Sequence, residues 1–376
     1  MSSPRPRFPG SVRHFGALAG PKCHTLPGRG RTCLALFLLL ACATSARAEE
    51  KYRPLVPVRG VIRVWGNETM AGIVRRWAEG FARHHPRARI ETRMIGGDVA
   101  IGALATGKAD IALLGREAAP QEVKAFEWIF RYRPTAIEVL NGSLDQPGCS
   151  PALAVLVHRS NPLSAVTMEQ LDSLFDAEPR GGGKATLRHW GQLGLSNDWA
   201  GRAIHLYSPD TETGTGVFFR NAALGGTRKL NWDRLTEMED SAGPDAPPHD
   251  AGRKLAALVA VDPNGLAVAP LSAPLPADVH LVALAVREGE AAVLPTRESL
   301  LARRYPMGRA VRAYVNAATE KPPDPKMARP LDRGVAEFLR YVLTTEGQDA
   351  AAADGRYLPL GSEAPAQLAR LQSLLR

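Results

Sequence analysis

Gly66-Asn67-Glu68-Thr69, Gly96-Gly97-Asp98 and Thr213-Gly214-Thr215-Gly216 are three short polar turns, each directly ahead of residues with apolar side chains at helical spacing. The first amides of a helix have no carbonyl partner within it and carry a partial positive charge. Three such starts facing one cleft can hold a small anion without lysine or arginine. The chemistry these residues suggest is non-covalent capture of an anion by a binding protein. A plainer role stands beside it: Asn67, Thr69 and Thr213 are good helix N-caps, and Gly96-Gly97 can make a tight turn with no ligand at all.

The elements that must position these turns follow from periodicity. Val61 to Trp65 reads as a buried strand, and Met70, Ile73, Val74, Trp77 and Phe81 repeat at the three-and-four spacing of an amphipathic helix that Pro86 ends. Ala88 to Ile95 alternates as a strand, Val99 to Thr106 is a short helix closed by Gly107, and Asp110 to Leu114 is another strand leading into Gly115-Arg116. A second such region starts near Pro151 with the apolar strand Ala152 to Val157, a helix capped by Thr167, the strand Ile204 to Tyr207 and a helix from Val217 to Leu224. Ser241 to Pro248 is a surface loop by composition. Strand and helix alternate, which predicts an α/β fold of mainly parallel sheets covered by helices on both faces. Trp65, Trp77 and Phe81 share the spacing of one buried face and read as core.

The formal charge of +9 would point to nucleic acid or a membrane surface, but its position removes that suggestion. Met1 to Ala48 holds seven of the 47 basic residues and no Asp or Glu, so the remainder carries 40 basic against 38 acidic residues. The basic leader has the parts of an export signal: an arginine-rich start, an apolar run from Cys33 to Ala43 and a small-x-small site at Ala46-Arg47-Ala48. This predicts a signal peptide over 1–48, a periplasmic location and, as a variant, lipid attachment at Cys42. Of the four cysteines only Cys149 lies beyond the leader, so no disulfide is expected in the exported chain.

Other chemistries lack their residues. Paired histidines at metal-ligand spacing and Cys-x-x-Cys are absent, so no metal and no cofactor are expected; His84-His85 at a helix end complements the helix dipole. There is no Gly-x-Ser-x-Gly elbow and no phosphate loop ending in Gly-Lys-Ser/Thr, which weighs against a secreted phosphate-ester hydrolase.

Several ordered stretches resemble the periplasmic phosphate-binding proteins of ABC uptake systems. They are the first turn with Trp77 and Phe81, Gly107-Lys108-Ala109-Asp110-Ile111-Ala112, and His158-Arg159-Ser160-Asn161-Pro162-Leu163 with Leu171 to Phe175. Tyr305-Pro306-Met307-Gly308-Arg309, Glu337-Phe338-Leu339, Glu346-Gly347-Gln348 and Tyr357-Leu358-Pro359-Leu360 follow the family's closing pattern. The resemblance implies a two-lobed fold with two crossing segments. Its first lobe would take 58–135 and 279–376, its second 136–278, and a linker 49–57 would precede them. It further implies a binding protein rather than an enzyme, monomeric, with a membrane permease as partner and no nucleic acid. A non-transport envelope sensor or partner protein of the same family, with altered or lost ligand binding, is the alternative.

Carried over by position, the resemblance implies a site of Asn67, Glu68, Thr69, Met70, Gly97, Asp98, Arg116, Thr213, Gly214 and Thr215, with Thr69 the foremost side-chain ligand. Three features depart from the family pattern. Asp98 replaces the serine of Gly-Gly-Ser-Gly, Pro209 stands where many members have an arginine, and Gly216 follows the Thr-Gly-Thr motif. Arg116 is then the cation expected in the cleft, unless it pairs with Glu117 or Glu122. Glu68, Asp98 and Glu212 would oppose an anion if all three faced it, although Asp98 can instead cap its helix and point away.

Overall fold

The computed structural model describes residues 51–179, 185–241, 249–318 and 329–375. The leader 1–48 with Cys42, and most of the loop expected over Ser241 to Pro248, lie outside the described residues.

Two mixed sheets carry the architecture. The first has the order β2-β1-β3-β11-β4, with β1 (Arg59–Gly66), β2 (Arg87–Met94) and β3 (Ile111–Leu114) parallel. Strand β11 (Ala310–Val315) returns late in the chain and inserts antiparallel between β3 and β4 (Thr135–Asn141). The second sheet has the order β6-β10-β5-β9-β7-β8, from β5 (Leu153–His158), β6 (Ala165–Thr167), β7 (His205–Pro209), β8 (Leu235–Met238), β9 (Gly265–Pro270) and β10 (Val279–Ala285). Parallel pairs β7·β8 and β7·β9 sit beside the antiparallel pairs β5·β9 and β5·β10.

The sequence bounds put residues 136–141 in the second lobe, whereas they belong to β4 of the first sheet. Val279–Ala285 corrects a second expectation. The sequence reading gave it to the first lobe, whereas it pairs with β5 and β6 in the second sheet. Leu300, Tyr305 and Met307 pack in the same core, so the chain returns only at about residues 305–309. Alternation of apolar residues marks a strand but does not say which sheet it joins.

Each sheet buries both faces. Leu153, Val155 and Val157 of β5 point into one core with Trp190 and Phe219, while Ala154 and Leu156 point into another with Leu255 and Val259. In the first sheet, Ile62 and Val64 pack under helix α1 (Ala71–His84), where Ile73, Val74, Trp77 and Phe81 are buried as their spacing predicts. The opposite face packs Ala112 and Leu114 against helices α2 (Ala100–Ala105) and α3 (Pro120–Phe130).

Several motif residues prove to be structural ties. Arg63 donates to Asp110 from its backbone amide at 2.8 Å and its side chain at 2.7 Å, fastening β1 to the start of β3. Trp77 Nε1 donates to the Gly347 carbonyl at 2.9 Å, and Gln348 Nε2 donates to the carbonyls of Val139 and Val342. Cys149 is buried, and burial raises its thiol pKa above the ordinary value. His84 faces Glu346 at 2.8 Å and His85 lies 2.6 Å from the Tyr52 hydroxyl, so neither is placed as a metal ligand.

Trp77 fills the center of the first core and answers its own N–H. Trp77→Ala should therefore destabilise the protein by about 3–5 kcal/mol in urea titration, the usual cost of emptying so large a buried site. A loss below about 1 kcal/mol would contradict this packing.

Candidate functional site

Three helix starts converge on one cavity of about 380 Å³ between the two sheets. The first sheet supplies two of them. After β1, Asn67 accepts a hydrogen bond on its Oδ1 from the Thr69 amide at 2.9 Å and caps a 3₁₀ turn that runs into α1. After β2, Gly96 takes φ = 124°, a conformation that favours glycine, and Gly97–Val99 turns into the six-residue helix α2. The second sheet supplies the third: after β7, Thr213 caps helix α5 (Gly214–Ala223), accepting from the Gly216 amide at 3.2 Å and donating to the Asp210 carbonyl at 2.6 Å.

Asn67, Glu68, Met70, Gly97, Asp98, Arg116, Thr213, Gly214 and Thr215 all line this cavity. Thr69 is absent from the lining. Its hydroxyl oxygen lies 2.7 Å from Asn67 Oδ1, 2.9 Å from the Gly148 carbonyl oxygen and 2.9 Å from the Tyr357 hydroxyl. The residue expected to be the foremost ligand instead holds the first turn against the crossing segment and the C-terminal motif. Glu212 also lies outside the cavity and faces Arg220 at 3.6 Å and Arg228 at 3.3 Å.

Arg116 reaches the cavity but is already neutralised. It donates to both oxygens of Glu122, at 2.7 and 2.9 Å, and to Asp98 at 2.7 Å. Burial works against the Arg116 charge, yet hydrogen bonds and charges from Glu122 and Asp98 outweigh it and hold the pKa above the ordinary arginine value. Asp98 lies with 93% of its side chain in solvent while it engages Arg116.

The cation that sequence reasoning missed is Arg309. It lies where the chain returns to the first sheet, just ahead of β11, and lines the cavity at 9% exposure. Its guanidinium donates to Thr215 Oγ1 on α5 at 3.1 Å and to the Gly115 carbonyl after β3 at 3.0 Å, and so touches both halves of the cleft. Its Nε is buried without a partner, its guanidinium lies 5.2 Å over the Phe218 ring, and its described hydrogen-bond acceptors are a hydroxyl and a carbonyl rather than a carboxylate. Burial lowers its pKa to about 10, with Arg116 and Arg312 adding repulsion. Arg309 thus remains charged at neutral pH while lacking a counter-ion. A signal for it existed in Gly308-Arg309, a cation set between the apolar residues Met307 and Ala310-Val311, but the motif was read only as a fold marker.

Ser150, Asp240 and His249 also line the cavity and were not anticipated. Ser150 holds φ = 52° in the first crossing segment, with its side chain directly over Gly115, where a Cβ would collide with it. His249 Nδ1 lies 3.6 Å from Asp240 and its Nε2 4.0 Å from Glu68 of the other half. The close approach of the Asp240 carboxylate raises the His249 pKa above 6.5 against the opposing effect of burial, and the charge of Glu68 adds to the rise. Charged His249 therefore stabilises the fold below pH 6.5, and that contribution is lost as the pH rises through the higher folded-state pKa. His249→Gln should lower the melting temperature relative to the parent chain at pH 5.5, with the difference closing by pH 9. An equal difference at both values would rule out the charge as its cause.

A family profile described as a PBP superfamily domain matches residues 53–346. The phosphate-binding protein PstS of Pseudomonas aeruginosa is 31% identical over 337 residues, covering 88% of this chain and 94% of that protein. The protein SphX of Synechococcus elongatus is 26% identical over 230 residues, covering 56% and 62%. Among solved structures, an ABC-type phosphate transport receptor from Vibrio cholerae aligns with a TM-score of 0.49 at 18% identity, covering 80% of this chain and 99% of that one. With its paired sheets and helix starts gathered on one cleft, the chain belongs to the PBP superfamily and is a PstS-like member of it.

Proposed function

We propose that this protein is an exported solute-binding protein that captures a small oxyanion, inorganic phosphate in the first instance, for ABC-type uptake. The observation that carries this reading is Arg309, a charged guanidinium at 9% exposure with no carboxylate partner among the described residues, directed at the mouth of α5. An isolated buried cation is costly, and an anion in the cleft would answer it. The oxyanion would accept from Arg309, from the Thr215 hydroxyl and from the first amides of α5, which have no partner within their helix. Arg116 contributes less, because Glu122 and Asp98 already occupy it.

The relative PstS is a phosphate-binding protein, and a binding role needs no nucleophile. The leader Met1 to Ala48 supports export to the periplasm, and a permease in the inner membrane would receive the loaded protein as monomer. No described helix is long and apolar enough to cross a membrane. Two chain crossings, near residues 142–152 and 302–309, join the sheets and would serve as the hinge on which the halves close.

Calorimetric titration with inorganic phosphate tests the reading. Arg309→Met should weaken binding by about tenfold to a hundredfold or more, since charged hydrogen bonds contribute about 1.5–3 kcal/mol each and 1.4 kcal/mol is a factor of ten. The same variant without phosphate should melt no lower than the parent chain, because it removes an unpaired buried charge. Absence of heat and of thermal shift at millimolar phosphate in the parent chain would end this reading.

A further inference from the structure

Charges around the cleft are arranged in two poles. At the first, Arg309 stands between Gly115 and Thr215 and over the Phe218 ring, with no carboxylate among its described partners. At the second, Glu68 and Asp240 share the single imidazole of His249, at 4.0 and 3.6 Å. Neighbouring charges do not repair this imbalance. Asp250 is answered by Lys254 at 3.5 Å, and Arg116 is shared by Glu122 and Asp98. Within ion-pair distance, Arg309 therefore meets no carboxylate among the described residues, whereas two carboxylates meet the one imidazole of His249.

The poles are close together. The ring of His249 and the methyl of Thr69 pack at Gly148, beside Glu68, whereas Arg309 packs at Gly142 and holds Gly115, over which Ser150 lies. Gly148 and Ser150 are two residues apart, a span of about 7 Å at most. A bare dianion would satisfy Arg309 and leave the carboxylate pole facing another negative charge.

We propose that the cleft takes a small zwitterion: a phosphoryl or phosphonyl group joined by a linker of two or three carbons to a protonated amine. This rests on the oxyanion reading above and refines its ligand class. The oxyanion occupies Arg309, Thr215 and the start of α5, and the ammonium lies at the carboxylate pole beside His249, where it donates to Glu68 and Asp240 from the cavity side. The cavity of about 380 Å³ has room for such a ligand beyond its phosphoryl group.

The test is calorimetry on the full chain, purified free of phosphate, with inorganic phosphate, ethylphosphonate and 2-aminoethylphosphonate as probes. The amine compound should bind at least tenfold tighter than ethylphosphonate, which matches its carbon skeleton but lacks the charge. In the double variant Glu68→Gln with Asp240→Asn that advantage should disappear, and inorganic phosphate should bind more tightly once the repulsion is removed. If ethylphosphonate and phosphate bind while the amine brings no gain, the zwitterion proposal is overturned and the oxyanion reading stands. If none of the three binds, both fall together.

Discussion

A single buried guanidinium organises the cleft. Arg309 enters from the segment that returns the chain to the first sheet, and its two outer nitrogens hold the Gly115 carbonyl on one side and the Thr215 hydroxyl on the other. Removing a cation from water without a carboxylate beside it is unfavourable, and the lowered pKa of about 10 is the mark of that burial. The same contact lies at the junction of the two sheets, so a ligand that answers the charge also bears on how the halves meet. A binding protein needs this coupling between occupancy and shape.

The other arginine in the cleft has the opposite character. Arg116 is held by Glu122 and Asp98, and Glu122 also accepts from the Ala119 amide at 2.6 Å at the start of α3. Its role is to fix the loop after β3 and shape the wall, against which Gly214 packs so tightly that a Cβ there would sit 3.0 Å from Arg116 Cδ. An ion pair of this kind supplies geometry, and its charge is spent before any ligand arrives. The departures at Asp98 and Pro209 thus fit together: one cation is neutralised within its own half, and another position supplies the positive charge.

Behind the cleft, the motifs shared with the family act mainly as fasteners. Tyr357 braces Thr69, Tyr305 donates to the Leu153 carbonyl at 2.8 Å, and Gln348 bridges Val139 and Val342 while accepting from the Leu360 amide. These bonds join the C-terminal segments to the two crossings and the first turn. A helix start is useful to a ligand only when its direction is fixed, and these contacts fix it at long range in sequence.

The sequence by itself determined what local physics decides. Apolar spacing placed α1 and its buried Trp77 and Phe81, glycine and N-cap residues placed the turns, and an alternation of strands with helices set the α/β class. Only the tertiary structure decided which side chains meet. Thr69 reads as a ligand because a hydroxyl in a polar turn is free until Tyr357, 288 residues away, is brought beside it. Arg309 and Thr215, 94 residues apart, form a site that no spacing rule could reveal, and Val279–Ala285 joins a sheet that its own pattern could not name. Local propensity acts within a few residues, whereas charge pairing and strand choice depend on contacts made only when distant segments fold together.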